Sequence, residues 1–172
     1  GTPLDSNLTP DMSALTSVLK DIARVLKPGN QVMLRSTVPV GVTRKVVVPY
    51  LEDATGLKAG KDFHVSFAPE RTIEGDAMNE LKTLPQVIGG YSPQCLKLSS
   101  EFWATLTSTV VRVATLEAAE LVKLSNNSFR DLSFSFANEM ALLADKFNVN
   151  AFDLINAANE GYPRNKIQIG RA

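Results

Sequence analysis

The sequence predicts an α/β unit built on a mostly parallel sheet, followed by an all-helical segment. Three observations carry that expectation. Short apolar runs alternate with stretches of helical spacing as far as Ala114. Proline and glycine punctuate those junctions. Then, from Thr115 to Phe147, neither residue occurs, which suits one uninterrupted helix.

Each element has its own warrant. Between Asp11 and Leu26, apolar residues fall at Leu15, Val18, Leu19, Ile22, Val25 and Leu26, a helical spacing with Asp11 or Ser13 as cap. Lys27-Pro28-Gly29-Asn30 stops that helix. Gln31 to Arg35 reads as a short strand, and Ser36-Thr37-Val38-Pro39-Val40-Gly41 as the loop leaving it. A second helix is expected from Thr43 to Ala54, kinked or cut short by Pro49. Phe63 to Ala68 is the next strand, with a short helix over Asp76 to Leu81 after it. Gln86-Val87-Ile88-Gly89-Gly90 reads as a strand ending in a turn. Ser92 to Leu106 is helical, with Ser92 as cap and Pro93 in the first turn, where a missing N–H costs nothing. Thr109 to Val113 is a β-branched strand. Strand and helix in alternation imply helices on the faces of a largely parallel sheet, so the loops Ser36–Gly41 and Ala68–Gly75 share its carboxyl edge. The later helix, roughly 30 residues and about 45 Å long, breaks at Asn148-Val149-Asn150, and another covers Ala151 to Asn159. Two parts follow, residues 1–114 and 115–172.

Bulk composition narrows the function classes. The chain has 172 residues, 44% hydrophobic and 21% charged, enough for one globular domain or one and part of another. Its basic and acidic side chains balance at eighteen each, which leaves no basic stripe for nucleic acid. No apolar stretch approaches the ~20 residues of a membrane helix. One cysteine cannot form an internal disulfide, and no signal core is visible, so the cytoplasm is the expected compartment. One histidine and one cysteine argue against a zinc site. The opening Gly1-Thr2-Pro3-Leu4-Asp5 lacks methionine and reads as part of a longer protein.

Chemistry concentrates in three places. Pro69-Glu70-Arg71-Thr72-Ile73-Glu74-Gly75 puts two carboxylates four residues apart at the end of a strand, where α/β folds bind ligands. A solvated turn with an Arg–Glu surface pair is the alternative. Ser36 and Thr37 offer hydroxyls at another strand end, suited to a phosphate, a ribose or a water. Lys123 and Asn127 share a face of the long helix among Leu121, Val122, Leu124, Phe129 and Leu132. The alternative there is an exposed lysine paired with Glu120. His64 and Cys95 read as structural, Cys95 as a buried inert thiol.

Taken together, these segments resemble the nucleotide-sugar dehydrogenases, the UDP-glucose and GDP-mannose dehydrogenase family. The resemblance rests on Gly1-Thr2-Pro3-Leu4-Asp5, Ser36 to Thr43, Phe67 to Gly75, Pro85 to Gly90, Ala119 to Asp131 and Phe136-Ala137-Asn138-Glu139, in that order along nearly the whole chain. The Pro-Glu-Arg form and Phe129-Arg130-Asp131 are most similar to the branch acting on UDP-N-acetylhexosamines.

The resemblance implies the later half of a Rossmann-like sheet and a helical central domain that pairs two subunits through the long helix. It implies NAD as cofactor and a UDP-sugar as substrate, its C6 alcohol oxidised in two steps to a carboxylate through a cysteine-bound intermediate. By motif, Thr37, Glu70, Glu74, Lys123 and Asn127 would be catalytic: Thr37 and Glu74 near water and cofactor, Glu70 on the sugar, Lys123 and Asn127 on the developing oxyanion. Arg71, Thr72 and Arg164 would join Glu70, Lys123 and Asn127 in binding substrate. Thr2, Ser36, Thr37 and Glu74 would face NAD. The family's Gly-x-Gly-x-x-Gly is absent from this sequence, and Cys95 matches the family's cysteine in neither position nor context. The chain alone is therefore expected to be inactive. UDP-glucose 6-dehydrogenase and a non-catalytic dimerisation module remain as alternatives. A hydroxyacid dehydrogenase with a similar Lys-x-x-x-Asn pair is disfavoured by the two-glutamate loop.

Overall fold

The computed structural model describes residues 2–73, 75–164 and 166–168. The elements run α1 (Ser13–Val25), β1 (Gln31–Leu34), α2 (Val48–Thr55), β2 (His64–Phe67), α3 (Ala77–Thr83), β3 (Gln86–Gly90), α4 (Pro93–Ala104), β4 (Val110–Val113), α5 (Leu116–Lys146) and α6 (Ala151–Asn159). They form two compact units, residues 1–124 and 125–172.

The first unit holds a four-stranded sheet ordered β1-β2-β3-β4. The pairs β1–β2 and β3–β4 are parallel, but β2 and β3 are antiparallel, with Phe67 opposite Gly89. The sheet is therefore mixed: two of its three pairs are parallel, as expected, and the antiparallel β2–β3 pair is the exception. The cause is the β2–β3 connection. It contains α3 but returns to the edge it left, so β3 runs back beside β2. The two loops of interest still leave one edge, because β1 and β2 are parallel.

Alternation along the strands splits the core between two faces. Val32, Leu34, Val65, Phe67 and Val87 face one cluster, joined by Leu19 of α1, Leu51 of α2, and Leu116 and Ala119 of α5. On the opposite face, Ala68 and Ile88 meet Trp103 of α4. Two adjacent glycines let helices approach β3 from both sides. A Cβ on Gly89 would lie 2.3 Å from the Thr115 carbonyl oxygen, and one on Gly90 would lie 2.4 Å from the Leu96 nitrogen.

Local chemistry sets the helix ends. Ser92 accepts from the Cys95 N–H, with Pro93 as the first residue of α4. Asn150 caps α6 through the N–H groups of Phe152 and Asp153. Asn148, at φ 54°, sits just past the end of α5. Pro49 neither ends nor shortens its helix. Instead a π-turn over Thr43–Val47 precedes α2, and Val48 N–H donates to the Thr43 carbonyl. Pro49 has no N–H for the ordinary ladder and crowds the carbonyl four residues earlier; the wider turn accommodates both. Within the second unit, Ala137, Ala144 and Ile155 are buried on α5 and α6.

Gly89→Ala should destabilise the first unit by about 1–3 kcal/mol, because the obstructing atoms are backbone. Urea denaturation, with the midpoint lowered and the slope kept, is the measurement.

Candidate active site at the carboxyl edge of the sheet

The two strand-end loops are stitched together as they leave β1 and β2. The Ala68 N–H donates to the Leu34 carbonyl at 2.8 Å and the Glu70 N–H to the Arg35 carbonyl at 3.0 Å. Glu70 therefore emerges beside the Ser36-Thr37 loop. The Glu70 carboxylate is then fixed from two sides. One oxygen accepts from the Thr72 N–H at 2.9 Å and the Thr72 hydroxyl at 2.8 Å. The other lies 2.5 Å from the Arg35 guanidinium. Partial burial pushes the Glu70 carboxyl up. The two Thr72 bonds, the Arg35 charge and the Arg71 N–H outweigh that, and hold it below its ordinary range. At neutral pH Glu70 is a carboxylate, fitted to accept a proton or orient water and unfitted to donate one.

Lys123 reaches this loop from α5. β4 ends at Val113, opposite Gly89 and through it level with Phe67, the last residue of β2, so α5 starts beside the edge from which the glutamate loop leaves. Thr115 caps it, accepting from the Ala118 N–H at 3.1 Å. Its first two turns cross the face, burying Leu116 and Ala119. Lys123 then arrives half-buried, and its Nζ donates to the Glu70 main-chain carbonyl. This is not the solvated stripe considered as an alternative. Nor does Glu120 serve as an exposed partner for the lysine. It is 1% exposed, and its carboxyl accepts from the Gly41 N–H at 2.5 Å, the Thr43 N–H at 2.9 Å and the Thr43 hydroxyl at 2.5 Å. One turn earlier, Glu117 pairs with Arg44 at 2.6 Å, and that guanidinium holds the Glu117 carboxyl below its usual range. Helix α5 is thus bolted to the end of the Ser36–Gly41 loop.

The remaining candidates divide as follows. The Thr2 hydroxyl donates to the Thr37 carbonyl. Thr2 and Ser36 line a cavity of about 440 Å³, with Arg35 and apolar residues of α1 and β1 as further walls. Its size suits a ligand. Arg71 donates to the Pro85 carbonyl. Thr72 is committed to Glu70. Asn127 and Arg164 belong to the second unit, where the Arg164 guanidinium lies 4.8 Å from the Tyr162 ring centroid. Glu74 lies outside the described residues. Cys95 is fully buried, contacted by the Val65 N–H and the Ser92 hydroxyl, with His64 Nδ1 3.7 Å away. Among the described residues no group of His, Cys, Asp and Glu could hold a metal ion. No helix among them is long and apolar enough to cross a membrane.

Two residues of this edge escaped the sequence reading. Arg35 gave a signal, a charge at the last position of a buried strand just before Ser36-Thr37. Glu120 gave none that separates it from a solvated helical glutamate.

The chain belongs to the UDP-glucose/GDP-mannose dehydrogenase family: residues 1–107 match its NAD binding domain and residues 117–169 its central domain. It is 38% identical over 166 residues to the UDP-N-acetyl-D-mannosamine dehydrogenase of Pyrococcus horikoshii, covering 96% of this chain and 39% of that protein. A solved UDP-D-ManNAc dehydrogenase structure from the same organism superposes with a TM-score of 0.91 at 38% identity, over 98% of this chain and 40% of that one. The ternary complex of GDP-mannose dehydrogenase from Pseudomonas aeruginosa gives a TM-score of 0.81 at 31% identity, over 91% and 37%. The chain thus spans about 40% of the length of such relatives.

Glu120→Ala would leave two main-chain N–H groups and a hydroxyl without their acceptor. A loss of about 2–5 kcal/mol is expected in urea denaturation, with Glu120→Gln losing less because one oxygen remains.

Proposed function

We propose that this chain is part of an NAD-dependent nucleotide-sugar 6-dehydrogenase. Its inferred substrate is a UDP-N-acetylhexosamine, with UDP-N-acetylmannosamine the first candidate, as the names of its relatives suggest. The C6 alcohol becomes an aldehyde and then, with one water, a carboxylate; two NAD⁺ are reduced. On this reading residues 1–114 belong to the cofactor domain and 115–172 to the central helical domain.

One observation carries the proposal: the Lys123 ammonium is seated on the main chain of the glutamate loop. A cation fixed beside a carboxylate at the sheet edge is what a reaction at a sugar carbon needs, with negative charge growing on oxygen while water is directed at carbon. NAD, when bound, accepts the hydride. This chain's residues do the rest. Lys123 and Asn127 donate to the oxyanion, each such donor typically worth ~3–4 kcal/mol. Glu70, ionised and held by Thr72 and Arg35, orients the sugar and the hydrolytic water. Thr37 and Glu74 stand by water and cofactor, and Thr2 and Ser36 face the dinucleotide. Arg71, Thr72 and Arg164 complete the substrate contacts. The product, an acidic nucleotide sugar, would supply polysaccharide synthesis, and the inferred compartment is the cytoplasm, where NAD and nucleotide sugars are held.

The second unit supports a further part of the reading, a homodimer. On α5, Phe129, Leu132, Phe136 and Leu143 recur at intervals of three, four and seven residues, and all are exposed. A stripe of that kind buries itself against a second copy.

The gene's complete product, given NAD⁺ and UDP-N-acetylmannosamine, should form two NADH per sugar. Lys123→Ala should cut kcat about 10²–10³-fold; absence of NADH with every UDP-sugar tried would sink the proposal. Light scattering should return twice the chain mass, and Phe136→Glu should halve it.

A further inference from the structure

Arg35 is held on three sides. Its guanidinium carbon lies 4.6 Å from the centre of the Trp103 ring. Its terminal nitrogen lies 2.5 Å from the Glu70 carboxylate, and its Nε donates to the Ala68 carbonyl at 3.4 Å. Trp103 is 3% exposed, and its indole N–H meets no protein acceptor among the described residues. What the indole offers Arg35 is therefore its ring face, the best of the aromatic surfaces for a cation. Phe102 braces the ring edge-on at a centroid distance of 5.7 Å. Arg35 also lines the cavity shared by Thr2 and Ser36. It thus touches the glutamate loop and lines the cavity wall as well.

We propose that Arg35, stacked on Trp103, is a positioning residue that fixes the orientation of the Glu70 carboxylate toward substrate. This rests on the reading of Glu70 as a substrate-facing carboxylate. The alternative holder is Thr72, which binds the other oxygen. Thr72 sits in the same loop and moves with it, whereas Arg35 belongs to the end of β1 and is clamped by α4. Among the described residues, Arg35 is the side chain that references the carboxylate to the rigid sheet. Among the described residues, other charged groups bordering this loop have partners of their own: Arg71 donates to the Pro85 carbonyl, Glu80 of α3 accepts from the Ile73 N–H, and Lys123 donates to the Glu70 carbonyl.

The test follows the Glu70 carboxyl carbon by NMR across pH, assigned with Glu70→Gln. In the unaltered chain its midpoint should lie below the ordinary ~4.3. Removing an opposing charge raises a carboxyl midpoint, so Arg35→Gln should raise it by about half a pH unit or more. Arg35→Lys should restore part of the lowering. Trp103→Phe, which keeps a packed ring, should raise the midpoint less than Arg35→Gln does. In the active enzyme the acid limb of kcat should move to higher pH in the same order. A midpoint unmoved in Arg35→Gln overturns the proposal; if that variant does not fold, unmoved midpoints in both Arg35→Lys and Trp103→Phe overturn it. Full turnover by Glu70→Gln would instead sink the reading of Glu70, leaving the titrations unchanged.

Discussion

The first unit depends on one buried carboxyl. Glu120 answers two main-chain donors and a hydroxyl where the chain turns from the Ser36–Gly41 loop into the π-turn. Gly41 has φ 92°, a conformation that aims its N–H into the carboxyl and that side chains rarely adopt. Without Glu120 those donors would be buried and unsatisfied. With it, the hydroxyl loop and the helix carrying Lys123 become one body, so the spacing between Thr37 and Lys123 is set by hydrogen bonds and not by a flexible tether.

The sheet makes that arrangement possible by letting backbone come close. Gly89 admits the start of α5 on one face, and Gly90 admits α4 on the other. Both helices then deliver a group to the same edge. Helix α5 brings Lys123 to the glutamate loop, and α4 brings Trp103 to Arg35. A pair of residues without side chains in β3 thus governs where two side chains of the candidate site end up, several residues away.

Most elements were legible because their signals are local. Ser92-Pro93 announces a helix start, Asn148 to Asn150 a break and a cap, and His64 to Phe67 a strand with little room for ambiguity. The candidate residues at the strand ends were legible for the same reason: Glu70, Ser36 and Thr37 are polar groups where a buried run stops. What was hidden depends on partners distant in sequence. The direction of β3 is decided by whether a connection recrosses the sheet, and periodicity carries no direction. Pro49 signals a disturbed helix without saying that a wider turn will absorb it. Glu120 is written like any helical glutamate, and its burial is imposed by Gly41 and Thr43, 77 to 79 positions earlier. Arg35 was readable as a strand-end charge, but its partners Glu70 and Trp103 come from two other elements.

The contact between Lys123 and Glu70 uses a carbonyl that every amino acid possesses. The lysine's bond to that carbonyl is therefore indifferent to the side chain at position 70, while among the described residues the carboxylate there is held by Thr72, Arg35 and the Arg71 N–H. Two functions that share one residue are consequently separable: the acid can drift or be exchanged across related proteins without unseating the cation. On the function proposed above, such a division lets one scaffold alter how it handles a substrate's water or sugar while the proposed charge-stabilising arm stays where it was.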